Sequence, residues 1–227
     1  MHSHYPLYSL RYLLFYLLLL PTFASAQTSS TTQPALPAIP LSPTFHSTFL
    51  CEKRIANITT PLLSSGTLTA QTPDSLRLST ARPYTSDIIL HHQQILAKSQ
   101  HESSWSYKYQ PSLTGFIATL SHFGQLARGN LAPVLSLYTI TPAPTFSPPP
   151  LPNSPPSSSP AAWHSYLLTP TDSHLSQYVK SIHISINPTT NSLQFYQLTT
   201  PQSDTLRYWL LTPTHPATLP NNTFAPK

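Results

Sequence analysis

Acid, glycine and sulfur are all scarce in this chain of 227 residues. Six Asp plus Glu spread over the whole length offer no carboxylate pair for general acid–base work. Four glycines leave little room for an oxyanion-binding turn, and the G-x-S-x-G nucleophile elbow does not occur. One cysteine, Cys51, excludes an internal disulfide framework, so stability has to come from burial. A nucleophilic Cys51 would need a histidine partner and an electropositive setting. Its place in an alternating strand marks it instead as a small buried filler. His91-His92 has neither the H-E-x-x-H spacing nor the helix that a metal pair requires. No catalytic residue, metal site or cofactor is therefore expected. Basic residues are scattered singly apart from Lys53-Arg54, whereas a nucleic-acid surface would cluster them, so the net charge of +5 reflects few acids and no nucleic-acid partner is expected.

Among what is present, the N-terminus is the most informative. Met1 to Tyr12 carries His2, His4 and Arg11 without an acid. The apolar run Leu13 to Leu20 and Pro21 follow, and Ala24-Ser25-Ala26 supplies small residues for a cut before Gln27. Residues 1–26 are read as a cleavable signal peptide, because the run is too short for the roughly 20 residues that span a bilayer. Residues 27–43 are a Ser, Thr and Pro leader with Pro34, Pro37, Pro40 and Pro43, extended by composition.

From Phe45 onward the pattern is one of short strands. Phe45, Ser47, Phe49 and Cys51 share one face of a strand, and His46, Thr48, Leu50 and Glu52 share the other. Breakers at Pro61, Gly66, Thr72-Pro73-Asp74-Ser75 and Pro83 divide the next stretch into Ser65–Gln71, Leu76–Ala81, Ser86–Leu90 and Gln93–Lys98, a first antiparallel meander. Leu113, Phe116, Ile117, Leu120, Phe123 and Leu126 recur at three and four, which predicts a helix that starts near Pro111-Ser112 and ends at Gly129. Residues 142–162, with Pro148-Pro149-Pro150 and Ser157-Ser158-Ser159, read as an insertion. Strands at 163–169, 181–187, 191–199 and 205–211 then form a second meander, with a short helix at 172–178. Residues 213–227 are a Pro- and Asn-rich tail expected to fray.

Two meanders and one helix suit a curved sheet with the helix over its concave side. Phe45, Phe49, Leu68, Leu76, Leu78, Ile89 and Leu96 from the strands, with Phe116, Ile117, Leu120 and Phe123 from the helix, would line it. Such a shell would take acyl chains, whose removal from water is favourable by about 0.8 kcal/mol per methylene. The same residues would equally fill one another, and periodicity does not separate a pocket from a filled core.

Phe45-His46-Ser47-Thr48-Phe49, then Glu52-Lys53, then PLLSSGTLTAQTPDSLRLSTARP from Pro61 to Pro83 resemble the N-terminal half of the LolA family of lipoprotein carriers. The matching positions are Gly66, Leu68, Pro73, Leu76, Leu78 and Pro83. LARGN at 126–130 is similar to the family's helix end. Trp163 with Leu167-Leu168-Thr169-Pro170-Thr171-Asp172 and Leu175, and the strands at 182–186, 193–198 and 204–210, are similar to its closing strands. Residues 44–211 carry the resemblance. It implies a mainly β (α+β) domain over 44–212, an open, incompletely closed antiparallel β-barrel under a helical lid.

The function implied by the resemblance is a monomeric, non-enzymatic periplasmic carrier. It would take the acyl chains of lipoproteins from an inner-membrane transporter to an outer-membrane receptor. Where the family has an arginine before the turn proline, this chain has Thr72. Two other readings remain: a binding protein for another lipid or glycolipid, and a secreted structural or adhesive β-protein with a filled core.

Overall fold

The computed structural model describes residues 36–37, 39–102, 104–107, 114–144 and 163–226. The signal peptide reading at 1–26, nearly all of the leader before Ile39 and most of the insertion at 142–162 lie outside these residues. The remaining chain builds one antiparallel sheet of eleven strands in the order β6-β5-β4-β3-β2-β1-β11-β10-β9-β8-β7. Its first half comprises β1 (Thr44–Arg54), β2 (Leu62–Gln71), β3 (Ser75–Arg82), β4 (Ser86–His91), β5 (Gln94–Ser99) and β6 (Ser106–Tyr107). Its second half comprises β7 (Tyr138–Pro142), β8 (His164–Pro170), β9 (Ser181–Asn187), β10 (Ser192–Thr199) and β11 (Thr205–Leu210). Each half is a meander of neighbouring hairpins. They join in the middle, where β1 pairs with β11 from Phe49↔Leu210 to Arg54↔Thr205. Among the described residues β6 and β7 are the two edges and do not pair with each other, so the sheet stays open.

Turn chemistry places the hairpins. His92 and Gln93 both take positive φ, 47° and 62°, the type I′ geometry whose twist matches the flanking strands. Asn187 Oδ1 accepts from Thr189 N at 2.8 Å to shape the β9–β10 turn. Gly66 answers a different need. A Cβ there would sit 1.9 Å from the Ser79 carbonyl oxygen, at a register irregularity between β2 and β3. Only glycine lets the two backbones meet at that bulge.

The helix α1 (Thr114–Ala127) lies over one face and touches β2, β3, β4 and β10. It stops where the spacing predicts, at Gly129 with φ +78°. Gly129 is required there, because a Cβ would come 2.5 Å from Pro40 O. A one-turn helix α2 (Ala132–Leu135) leads into β7.

Three segments depart from expectation. Leu175–Gln177 is a single 3-10 turn, with Asp172 Oδ1 accepting from Leu175 N at 2.8 Å, and not a helix over 172–178. Ile39 is buried against the core and Ser42 N donates to Arg128 O at 2.9 Å, so the end of the leader already belongs to the fold. The tail is pinned. Thr214 exchanges backbone bonds with His46 at 2.8 and 2.9 Å, and Arg77 Nη1 donates to Thr223 O at 2.9 Å. The proline content blocks further strand growth yet leaves carbonyl oxygens free to accept.

Gly66→Val is expected to lower the free energy of unfolding by about 1–3 kcal/mol, the cost of overpacking a closed site. A shift of the urea midpoint checks it, with Thr67→Val on the neighbouring residue as a control near neutrality.

Candidate functional site

The ladder registers sort every strand residue onto one of two faces, since side chains alternate along a strand. Phe45, Phe49 and Cys51 on β1 stand opposite Ala70, Gly66 and Ser64 on β2. Leu68 pairs with Leu78, Ala70 with Leu76, Leu76 with Leu90 and Leu90 with Ile95, all on the same face. On the other half this face continues through Tyr208, Tyr196, Ile184 and Tyr166, paired in sequence across β11, β10, β9 and β8. It is nearly continuous in apolar side chains, and α1 is laid on it.

Of the residues expected to line the concavity, Phe45, Phe49, Leu68, Leu76 and Leu78 are on this face and buried. Leu120 and Phe123 are buried on α1, while Phe116 and Ile117 near its start are half-buried. Ile89 and Leu96 are not part of it. They pair with each other, and Ile89 pairs with Arg77, which puts both on the opposite face. The reason is visible in the sequence: Ile88-Ile89-Leu90 and Ile95-Leu96-Ala97 are unbroken apolar runs, and without alternation a one-residue slip exchanges the faces. Ile88, Leu90 and Ile95 take the inner places instead.

Tyr138, Tyr166, Tyr196 and Tyr208 are inner-face residues that a count of purely aliphatic positions misses. Phe123 stacks on Tyr196 at 4.2 Å between ring centroids and leans on Tyr208 at 5.1 Å. Tyr208 meets Phe49 edge-on at 5.3 Å. Burial pushes the hydroxyls of Tyr196 and Tyr208 well above the usual phenol range. Their inward side follows from the ladder register, since neighbouring Phe195 and Trp209 are equally bulky and aromatic.

The seat of α1 is close. A Cβ on Gly124 would lie 3.7 Å from Ala70 Cβ and 3.2 Å from Leu76 Cδ1. Between the end of α1, the turn at Asp74 and Leu90 of β4 lies a cavity of about 10 Å³, enough for one water. Polar ties are few. His122 Nδ1 and Tyr138 Oη share a hydrogen bond at 2.9 Å, Arg128 Nη2 donates to Pro73 O at 3.1 Å, and Gln125 Nε2 reaches Asp74 at 3.5 Å. Arg128 is 1% exposed, yet its Nε and Nη1 find no acceptor among the described residues, and burial lowers its pKa. A guanidinium buried on one good acceptor opposes the docked helix.

Chemically reactive groups are quiet. Burial pushes the Cys51 thiol up to about 11, so it stays protonated near neutrality. Among the described residues no group of three His, Cys, Asp or Glu is placed to hold a metal. On the outer face a 370 Å³ hollow is lined by polar side chains including Ser79, Asp87, Lys98 and Trp105, with Asp87 occupied by Arg77 at 3.1 Å.

No family model and no curated protein matches the chain. Solved structures similar to it include a LolA superfamily protein from Nitrosomonas europaea, at 10% identity and TM-score 0.41 over 83% of this chain and 92% of that one. A DUF1329 family protein from Desulfovibrio piger is similar at 10% identity and TM-score 0.43, over 82% and 91%. An uncharacterized conserved protein from Thermus thermophilus is similar at 7% and 0.44, over 81% and 85%. The first belongs to the superfamily that residues 44–211 resemble. With all three TM-scores below 0.5, the functional reading rests on this chain's own geometry and sequence.

Two buried histidines make stability depend on pH. Burial lowers the pKa of His122, and burial followed by the Arg207 charge lowers that of His183 to about 4. Both are neutral in the fold while the unfolded imidazole titrates near 6.5. Their stabilisation is therefore complete above about pH 6.5 and is lost as pH falls through the window toward 4, because the unfolded chain then binds more protons. A loss on the order of 2 kcal/mol between about pH 7 and pH 4 is expected in urea titrations, with His183→Gln flattening the profile.

Proposed function

We propose that this chain is a non-enzymatic carrier of acyl chains that works outside the cytoplasm, in a periplasm, with lipoproteins as its cargo class. The observation that carries the reading is the nearly continuous apolar inner face of an open sheet, with α1 laid on it. This helix is held by side-chain burial and a handful of polar ties. Acyl chains need no directional bonds, only an apolar surface that is dry when empty and accessible when loaded. In this reading the docked α1 is the closed state, and cargo enters by moving α1 off the face.

The energetics favour such motion. Burial of Leu120, Phe123 and Leu126 holds the helix, and the under-satisfied Arg128 works against them, so release of α1 regains solvation for that guanidinium. A small difference between closed and open states is what a carrier needs, since cargo binding has to outweigh closure and then be reversed. The sequence resemblance supplies the transport context: an inner-membrane transporter as donor and an outer-membrane receptor as acceptor. The signal peptide read at residues 1–26 supports export.

A cross-link tests the lid directly. With Cys51→Ala as background, Ala70→Cys and Gly124→Cys place two thiols at the 3.7 Å Cβ separation that a disulfide accepts. The oxidised protein is expected to take up a fluorescent diacyl lipopeptide at least about tenfold less well than the reduced protein, with uptake restored by reductant. Equal uptake in both redox states would sink the carrier reading and favour a filled structural core. Mass spectrometry of material recovered after export would identify the acyl species.

A further inference from the structure

Three large aliphatic side chains stand in water at one place. Ile58, Leu62 and Leu63 are 52%, 56% and 53% exposed, and all belong to the β1–β2 hairpin end. Scattered single exposures need no explanation, whereas a cluster on one tip does. The tip is held in shape: Ile58 N donates to Ile55 O and Ala56 N donates to Asp204 Oδ1, both at 2.9 Å. Its apolar residues are thus presented on a fixed turn. Leu62 pairs with Lys53 and Leu63 with Glu52, so the two leucines project from opposite faces of the ribbon.

Exposed cations gather around the tip. Arg54, Thr205, Thr199 and Ser181 are aligned across β1, β11, β10 and β9, which brings Lys180 to the same end of the sheet as Lys53 and Arg54. Arg82 pairs with Ser65 on the other side of the hairpin. All four cations are exposed. The acids here are spent inward: Glu52 is 7% exposed beneath Arg54 and Arg207, and Asp204 accepts from Ala56. Arg54 is itself paired with Glu52 at 2.7 Å, so Lys53, Arg82 and Lys180 are the cations that ring the aliphatic side chains.

We propose that the β1–β2 hairpin end is a membrane-docking element whose occupant is an anionic bilayer surface. Ile58, Leu62 and Leu63 enter the headgroup boundary, and Lys53, Arg82 and Lys180 engage lipid phosphates. A protein partner fits less well. A specific interface takes about 800 Å² per side with aromatic or arginine anchors in pockets, and a convex tip of three aliphatics offers neither. Shallow insertion needs only apolar side chains and nearby cations. Docking at this end does not depend on what the sheet carries. If the carrier reading also holds, it turns the half-buried Phe116 and Ile117 at the start of α1 toward the bilayer.

Flotation of the full chain with phosphatidylcholine vesicles, with and without phosphatidylglycerol, tests the proposal. Variant and wild type share the same N-terminus, so their difference reports the tip alone. Binding is expected to require phosphatidylglycerol, to weaken with added salt, and to fall about tenfold or more in the combined Ile58→Ser, Leu62→Ser and Leu63→Ser variant. Ile58→Trp is expected to shift its emission to the blue on anionic vesicles. An unchanged affinity in the triple serine variant, with its unfolding midpoint intact, would overturn the proposal. So would an Ile58→Trp emission indifferent to vesicles, or a triple variant whose only change is in self-association. Lipopeptide uptake under the Ala70–Gly124 cross-link is a separate readout, so loss of vesicle binding and loss of cargo binding are distinguishable.

Discussion

One constraint governs the architecture: among the described residues, the long helix laid on the wide apolar inner face of the sheet has only 14 residues. Such a helix is about 21 Å long. Eleven strands laid flat would extend about 48 Å across their hydrogen bonds. A flat sheet would leave much of its apolar face wet, so the sheet has to curl around the helix. The irregularities at Ser65/Gly66 and between Leu193 and Phe195 are the places where strands bend, and Gly66 is where two backbones approach too closely for any side chain. Aromatic groups then fill the crease. Phe123 of the helix stacks on Tyr196 and Tyr208, next to the line where the two meanders meet.

The same helix carries opposing contributions. Its buried apolar residues are each worth about 1.5–3 kcal/mol. Against them stands Arg128, buried to 1% with only the Pro73 carbonyl as a good acceptor. The guanidinium follows directly on the end of α1, and its acceptor is Pro73 in the turn after Thr72. An element stabilised by area and opposed by an under-solvated charge is poised near balance in a way that a purely apolar helix is not.

Much of this was legible in the residues. Alternation in Phe45–Glu52 and Ile182–Ile186 gave strands and their inward faces, and the three-and-four spacing from Phe116 to Leu126 gave α1 and its glycine stop. What escaped was physical in origin. Ile88-Ile89-Leu90 and Ile95-Leu96-Ala97 have no period, so Ile89 and Leu96 fall on the far face. Tyrosines are ambiguous by composition, apolar in body and polar at the tip, and their inward side appears only with the register. The tail from Pro213 reads as unstructured because proline prevents ladder growth. It is fixed nonetheless, by Thr214 beside His46 and by Thr223 accepting from Arg77. Whether a face binds cargo or fills itself depends on the free energy of α1 docking, which no local pattern encodes.

The pairing of β1 with β11 also has a consequence for how the chain comes into being. A polypeptide made from its N-terminus presents β1 to β6 and α1 well before β11. Through that interval the hydrogen-bonding edge of β1 from Phe49 to Arg54 is vacant. Non-local pairing of this kind is slow to close, and an open edge recruits other strands. Lys53 and Arg54, charged residues at the end of that edge, are placed where they discourage a second copy from adding on. β11 completes the centre of the sheet, so the molecule is sealed from the middle and not from an edge.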